Sequence, residues 1–166
     1  MKQLLLILLI PIISYSQISY KDVMSINSEK MFKKVMIENG YELGLSDEVN
    51  LVYGFDIVRD SIDGMKSSKW GRYEVKDDGF GLSFSRNTQL NTFLNLKEDR
   101  SENEYDLIVK EIKKNCKYFD IKTYTTEDDE VLDYVCYSCS ESKYKGKIGF
   151  MISEGWGYIK HFVNIE

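Results

Sequence analysis

The sequence predicts an α+β fold of two tandem repeats, each a helix followed by four antiparallel strands, with both helices packed on one face of the sheet. A Gly-Phe-Gly phrase at 79–81 recurs 76 positions later as Gly-Trp-Gly at 155–157. Helical and then alternating apolar patterns precede each phrase. Other landmarks recur in the same order at intervals of 75 to 82 residues, which indicates internal duplication, so we expect repeats at about 24–96 and 101–166.

Each repeat is predicted to begin with a helix. Ser25 or Asn27 is expected to cap the first helix, and Gly40 to end it in a left-handed conformation. The second helix matches a capping box, with Ser101 as the N-cap and Glu104 reaching back to it. Apolar stripes at helical spacing are formed by Phe32, Val35 and Met36 in the first helix and by Tyr105, Ile108 and Ile112 in the second.

Strands are predicted where apolar and polar residues alternate after each helix. The predicted strands cover 50–58, 69–75, 80–85 and 91–96 in the first repeat and 118–125, 131–139, 146–153 and 156–163 in the second. Asp78-Gly79 and Glu154-Gly155 are expected to form two-residue hairpin turns, because glycine readily takes a positive φ.

The second glycine of each repeated phrase, Gly81 or Gly157, then lies inside a strand, where glycine normally weakens the structure. A helix or a bulge that needs the backbone close would account for it. Phe80 and Trp156 either cover a bare glycine of a neighbouring strand or form exposed contacts at a binding site.

Residues 1–16 are predicted to be a cleaved export signal. A lysine near the start precedes an apolar run of ten residues, which is shorter than the roughly 20 residues that a membrane-spanning helix needs. Small residues at Ser14 and Ser16 favour cleavage before Gln17. Cleavage leaves a single domain at 17–166 with no stable membrane anchor, and an uncleaved anchor is the alternative. We therefore expect a periplasmic or secreted protein.

The charge of the chain argues against some partners. The formal net charge is −5, and it becomes −6 when the lysine of the signal is removed. Basic residues form no stripe along the sequence. We therefore expect neither nucleic acid nor an anionic membrane surface as a partner.

Three cysteines, Cys116, Cys136 and Cys139, suggest a disulfide, because exported proteins meet an oxidising compartment. We expect Cys116, at the end of the second helix, to bond to the strand that carries the other two. The strand register decides the partner and leaves both open, and we favour Cys136 because it continues the apolar face of Leu132 and Tyr134. Three thiols without a disulfide are the alternative. The C-x-x-C spacing also matches a redox pair.

Catalytic chemistry has few candidates in this sequence. His161 is the single histidine, and no nucleophile motif such as G-x-S-x-G accompanies it. Carboxylates are dense at 125–133 but lack the alternating spacing of an EF-hand loop. The sequence therefore predicts no catalytic residue, no metal and no cofactor.

Aromatic residues on a sheet face or at hairpin tips are the predicted binding surface, since Tyr and Trp commonly anchor interfaces. The candidates are Tyr124, Tyr137, Tyr144, Trp156, Tyr158 and His161. We expect an exported, non-enzymatic binding protein that presents this surface to a protein or a small ligand. The alternative is an exported hydrolase or thiol-redox enzyme that uses His161, carboxylates or the Cys136/Cys139 pair. A structural component of the cell surface is a third possibility.

The predicted arrangement is similar to that of small secreted inhibitors built from tandem helix-plus-antiparallel-sheet repeats, such as the β-lactamase inhibitor protein family. The likeness concerns the arrangement of elements. The chain shares no motif with that family, so none of the family's functional residues is carried over.

Overall fold

A computed structural model describes residues 17–61, 64–76, 79–86, 103–126, 129–143 and 145–163. Several predicted features lie outside these residues, namely the export signal at 1–16, Asp78, the strand at 91–96, Ser101 and Tyr144. No helix within the described ranges is both long enough and apolar enough to cross a membrane.

The helices of the described chain are α1 (Tyr20–Ser25), α2 (Glu29–Glu38) and α3 (Glu104–Asn115). Ser28 caps α2, and its hydroxyl accepts a hydrogen bond from the Met31 N–H at 3.3 Å. The predicted caps Ser25 and Asn27 are therefore wrong, because the chain forms the short helix α1 first and Ser25 belongs to it. Gly40 takes the expected left-handed conformation after α2, with a φ of 76°.

The N-cap of α3 also differs from the prediction. Asn103 caps the helix by accepting from the Asp106 N–H at 2.9 Å. Glu104 is buried instead of completing a capping box: its carboxylate accepts a hydrogen bond from the Ile18 N–H and forms an ion pair with Lys69. Glu104 thus joins the start of the described chain to α3 and the sheet.

Within the described residues, the strands form one large sheet and one small one. They are β1 (Tyr41–Ser46), β2 (Asn50–Phe55), β3 (Val58–Asp60), β4 (Gly64–Lys66), β5 (Lys69–Glu74), β6 (Gly79–Ser85), β7 (Lys117–Thr125), β8 (Val131–Ser138), β9 (Lys147–Ser153) and β10 (Trp156–Phe162). The large sheet has eight strands in the order β1-β2-β5-β6-β10-β9-β8-β7, and β3 pairs with β4 in a separate hairpin. All pairings are antiparallel.

The predicted fold class of two tandem helix-plus-four-strand repeats is wrong. The described chain is mostly sheet, with one eight-stranded antiparallel sheet, a two-stranded sheet and few helices. Before α3 it forms two helices and six strands, whereas from α3 onward it forms one helix and four strands. The unpredicted β1 is an edge strand whose side chains are mostly exposed, so it lacks the clean alternation of a half-buried strand.

The two Gly-aromatic-Gly phrases do not occupy equivalent positions. Phe80 is 1% exposed, and its ring centroid lies 6.5 Å from that of Phe32 on α2. In the other phrase it is Gly157 that faces a helix, since a Cβ there would lie 2.6 Å from the Tyr105 ring on α3. Neighbouring residues of a strand point to opposite faces, so Trp156 points away from the helices. The phrases are out of phase by one residue.

The turns at the two phrases differ as well. Glu154 and Gly155 take φ values of 48° and 79°, which confirms the predicted hairpin turn between β9 and β10. Gly79 is instead the first residue of β6, where it pairs with Glu74. The prediction that Gly79 makes a turn is therefore wrong.

The core lies between the helices and one face of the large sheet. The predicted apolar stripes are confirmed, because Phe32, Val35, Met36, Tyr105, Ile108 and Ile112 are all buried. Bare glycines bring the helices close to the strands: a Cβ on Gly71 would lie 2.5 Å from the Met36 sulfur. The opposite face of the sheet carries no helix within the described residues, and we call it the open face.

Candidate functional site

The open face is concave because the β7–β8 hairpin bends over it. The two strands pair with each other at eight positions, but β8 pairs with β9 at three, from Val135 to Tyr137. The half of the hairpin that contains Tyr124 and Leu132 therefore leaves the sheet. The Lys160 ammonium on β10 lies 4.4 Å from the centre of the Tyr124 ring on β7, although β9 and β8 lie between these two strands in the sheet.

A groove of about 400 Å³ lies between this hairpin and the sheet. Gly81 and Ser83 of β6 form part of its floor, and Trp70, Tyr124 and Tyr158 line its walls. The floor is low because these two β6 residues carry little or no side chain. We call this space the aromatic groove.

Trp70 is positioned by glycines of the neighbouring strands. Gly54 pairs directly with Trp70 across β2 and β5, and a Cβ on Gly54 would lie 2.8 Å from the indole Cζ3. A Cβ on Gly44 would lie 3.5 Å from the same atom. The indole therefore lies over bare backbone at one side of the groove. The Ile57 side chain also lies over Gly54.

A charged cluster crosses the groove beside its floor. The Lys160 ammonium forms an ion pair with Glu74 at 2.5 Å, and Arg72 Nε donates a hydrogen bond to Asn50 Oδ1 at 2.8 Å. A second recess of about 320 Å³ shares Arg72, Glu74, Tyr124 and Lys160 with the aromatic groove and extends it to Lys76. The two recesses therefore adjoin along the open face, and together we call them the depression.

The end of the groove near the β9–β10 turn is acidic. Glu130 and Glu154 line it beside Tyr158. Burial raises the pKa of the Tyr158 phenol, and the charges of Glu154 and Glu130 raise it further. Both carboxylates therefore lie within electrostatic reach of the Tyr158 hydroxyl.

The predicted binding residues separate into different places. Tyr124 and Tyr158 line the aromatic groove, and Trp156 is half-buried on the same face, opposite Ser85. Tyr137 lies on the helix side, stacked on Phe150 with ring centroids 5.5 Å apart. The structure does not describe Tyr144.

His161 is a buried core residue whose ring faces the helix side, although the residue also lines the second recess. It is 3% exposed, and its ring lies 5.2 Å from that of Phe80 on the helix side. Its Nε2 lies 2.6 Å from the Lys145 carbonyl oxygen, so this nitrogen carries the proton and donates it. Burial lowers the pKa of His161, which keeps the ring neutral. The placement favours a structural role.

The disulfide joins Cys116 to Cys139, so the preference for Cys136 as the partner is wrong. Cys116 follows the last residue of α3, and Cys139 follows the end of β8, so the bond ties the helix to the sheet. Cys136 is fully buried opposite Gly149, and burial raises the pKa of its thiol to about 11. The C-x-x-C motif therefore does not form a reactive pair.

Trp70, Arg72 and Glu74 are among the site residues that sequence reasoning missed. They alternate along β5 with Gly71 and Tyr73, which face the helices. A tryptophan among charged residues, on the face opposite the apolar positions, is the signal that could have identified them. In the described part of the chain, no three His, Cys, Asp or Glu side chains are grouped in a way that could hold a metal ion.

No protein-family model, no curated protein and no solved structure matches this chain. The resemblance to the β-lactamase inhibitor protein family rested on the tandem repeats, and it falls with them. Any functional conclusion therefore depends on the geometry of the open face.

Proposed function

We propose that this protein is an exported, non-enzymatic binding protein whose aromatic groove holds a small aromatic ligand or a segment of another protein. The observation that carries the proposal is the grouping of Trp70, Tyr124 and Tyr158 around a groove of about 400 Å³. Ligand sites are typically concave and lined by aromatic side chains with a few polar groups. Lys160, Glu74 and Arg72 supply those polar groups.

The floor of the groove supports the proposal independently of its walls. A Cβ on Gly81 would meet the Ile159 carbonyl oxygen at 3.8 Å, an ordinary van der Waals distance. The packing of the protein therefore leaves room for a side chain at this position, in contrast to Gly157. Glycine inside a strand costs about 0.5–1 kcal/mol relative to alanine. At Gly81 the missing side chain deepens the groove, and ligand binding would account for a glycine at this position.

An enzymatic function has less support. His161 faces the core, and Cys139 is held in a disulfide. The buried Cys136 has a raised thiol pKa, which disfavours the thiolate that nucleophilic or redox chemistry requires. Carboxylates do line the groove, but they accompany aromatic side chains that are suited to holding a ligand.

A titration with neutral aromatic fragments tests the binding function. Indole, p-cresol and benzamide are added to ¹⁵N-labelled protein, and amide shifts are followed by NMR. We expect the largest shifts at Gly81, Ser83 and the Trp70 indole N–H. Shifts that are absent, or that are spread over the helix side, would contradict the proposal.

The matched variants are Gly81→Val and Ser85→Val, on the same strand and the same face. The valine side chain of the first variant would fill the floor of the groove, whereas Ser85 pairs with Trp156 and does not line the groove. We expect the first substitution to abolish the fragment shifts and the second to leave them. Equal effects of the two substitutions would count against the groove as the binding site.

Export is the second part of the proposal. Ile18 is 1% exposed and belongs to the core, so the folded domain begins no later than the second residue after the predicted cleavage point. The Cys116–Cys139 disulfide is compatible with an oxidising compartment. Mass spectrometry of the cell fractions tests this: an N-terminus at Gln17 outside the cytoplasm is expected, and retention of Met1 in the cytoplasm would contradict export.

A further inference from the structure

We propose that the ligand of the aromatic groove is an extended peptide segment with a basic side chain at one end and a carboxylate about four residues away. This inference rests on the proposed binding function and adds the chemistry of the ligand. The two ends of the depression carry opposite charge, and this difference is the basis of the inference. The strand register determines which residues lie at each end.

The strand register arranges the lining residues in rows. Tyr158 pairs with Ser83, which pairs with Trp70, so these three form one row across the sheet. Two residues further along each strand, Lys160, Gly81 and Arg72 form the next row. Glu74 lies on β5 beyond Arg72 on the same face. Successive rows are about 6.6 Å apart.

The end at the Tyr158 row suits a cation. Glu130 and Glu154 line this end, and the indole and phenol rings of Trp70 and Tyr158 offer π-faces that attract ammonium or guanidinium groups. Both carboxylates contribute to the raised pKa of Tyr158, which agrees with their position beside the Tyr158 hydroxyl. A lysine or arginine side chain of a ligand would meet negative charge and aromatic surface together.

The opposite end suits an anion. Within the described part of the chain, its charged lining residues are Arg72, Lys76 and Lys160 together with the carboxylate Glu74. Glu74 is in an ion pair with Lys160, so the described lining residues of this end keep an excess of positive charge. An arginine and a lysine at the edge of a recess bind carboxylates through charge-assisted hydrogen bonds.

The distance between the two ends selects a peptide over a single amino acid. From the Trp70 row to Glu74 is four residues of extended strand, or about 13 Å. An extended peptide covers that distance in about four residues. The charges of a free amino acid lie much closer together than the two ends of the groove. The aromatic walls between the ends would hold the apolar side chains in the middle of the segment.

Three short peptides test the inference. The probes are acetyl-Arg-Leu-Phe-Leu-Asp-amide, the reversed acetyl-Asp-Leu-Phe-Leu-Arg-amide, and the neutral acetyl-Gln-Leu-Phe-Leu-Asn-amide, in which the end residues are four positions apart and share one face of an extended chain. The protein carries Trp156→Phe, so that Trp70 is the remaining tryptophan of the two in the chain and reports binding by its fluorescence. We expect one charged peptide to bind at least about tenfold more tightly than the neutral one in about 20 mM salt, and this advantage to shrink in about 300 mM salt.

Variants in which carboxylates are neutralised show which part of the protein gives the charged peptide its advantage. Glu130→Gln with Glu154→Gln should remove most of the advantage of the charged peptide. Glu29→Gln with Glu38→Gln changes the net charge equally on α2, on the other side of the sheet, and should leave the advantage intact. Equal losses in the two double variants would show a long-range effect of net charge and would overturn the assignment of the acidic end.

The outcomes separate this inference from the proposed function. If the charged and neutral peptides bind equally, the charge assignment is wrong and the groove remains a binding site. If no peptide changes the Trp70 fluorescence while the neutral fragments still shift Gly81, the peptide class is wrong. If neither peptides nor fragments bind, the proposed function itself is overturned.

Discussion

The Lys160 ammonium lies 4.4 Å from the centre of the Tyr124 ring, although two strands separate β10 from β7 in the sheet. In a flat sheet, strands three positions apart are separated by about 14 Å. The contact therefore requires the β7–β8 hairpin to fold over the open face. Because Lys160 also pairs with Glu74, one side chain holds the hairpin and the floor of the groove together.

Tyr124→Ala is predicted to loosen the bent half of the hairpin. The lost cation–π contact is worth about 1 kcal/mol, which corresponds to about fivefold faster amide hydrogen exchange at Thr123 and Leu132. Tyr118→Ala is the matched control, since Tyr118 lies at the other end of β7 and is 54% exposed. The interpretation fails if both variants change the exchange at these two amides equally.

The two strand glycines are predicted to differ in their response to alanine. Gly157→Ala should lower the free energy of unfolding by about 1–3 kcal/mol, since the new Cβ would lie 2.6 Å from the Tyr105 ring and force repacking. Gly81→Ala should leave it within about 0.5 kcal/mol or raise it, because the position has room. Urea unfolding of both variants measures this. A large loss in Gly81→Ala would show that the glycine serves packing instead of the groove.

The cysteines are predicted to differ in reactivity. With N-ethylmaleimide and no reductant, the native protein should gain no adduct, because Cys136 is buried with a raised pKa and the other two are bonded. Unfolding in urea should expose one thiol, and reduction should expose three. Cys116→Ser with Cys139→Ser should lower the free energy of unfolding by about 3 kcal/mol. Rapid labelling of Cys136 in the native protein would contradict its burial.

His161 is predicted to make stability fall below neutral pH. Burial lowers its pKa in the folded protein, so the unfolded chain takes up the proton first, as the pH falls below about 6.5. This contribution to stability is fully present above that pH and is lost toward the folded pKa, by at most about 1.4 kcal/mol per pH unit.

His161→Gln provides the comparison for this prediction. The glutamine amide can still donate a hydrogen bond toward the Lys145 carbonyl, but it does not titrate. Urea unfolding between about pH 5.5 and 7.5, a range that spans the ordinary histidine pKa, should show a shallower fall of stability in the variant, while carboxylates common to both proteins contribute equally. Parallel curves would mean that His161 has no part in the pH dependence.

Local patterns in the sequence predicted the two longer helices, α2 and α3, and the positions of most strands, but not the short helix α1. Phe32 and Met36 mark α2 because helical spacing is a short-range property, and Gly40 ends it as expected. The predicted strand 50–58 ends earlier, at Phe55, because Asp56 takes a φ of 51° and turns the chain into the β3–β4 hairpin. Nothing in the alternation of residues marks that position.

The site was less predictable because it depends on pairing between distant segments. Whether Phe80 or Gly81 faces the helices is decided by a single-residue register, and a shift of one residue exchanges the two faces. The repeated phrases suggested equivalence, whereas pairing between β6 and β10 places Gly81 beside Lys160. The partner of Cys116 depends on register in the same way. The bend of β7–β8 over the open face has no local signal at all.

The central claim is that the aromatic groove binds a ligand, and isotope-filtered NOE spectroscopy of labelled protein with p-cresol tests it most directly. We predict NOEs from the cresol ring to side-chain protons of Trp70 and Tyr158. NOEs confined to helix-side rings such as Tyr137, or no intermolecular NOEs at millimolar p-cresol, would contradict the claim.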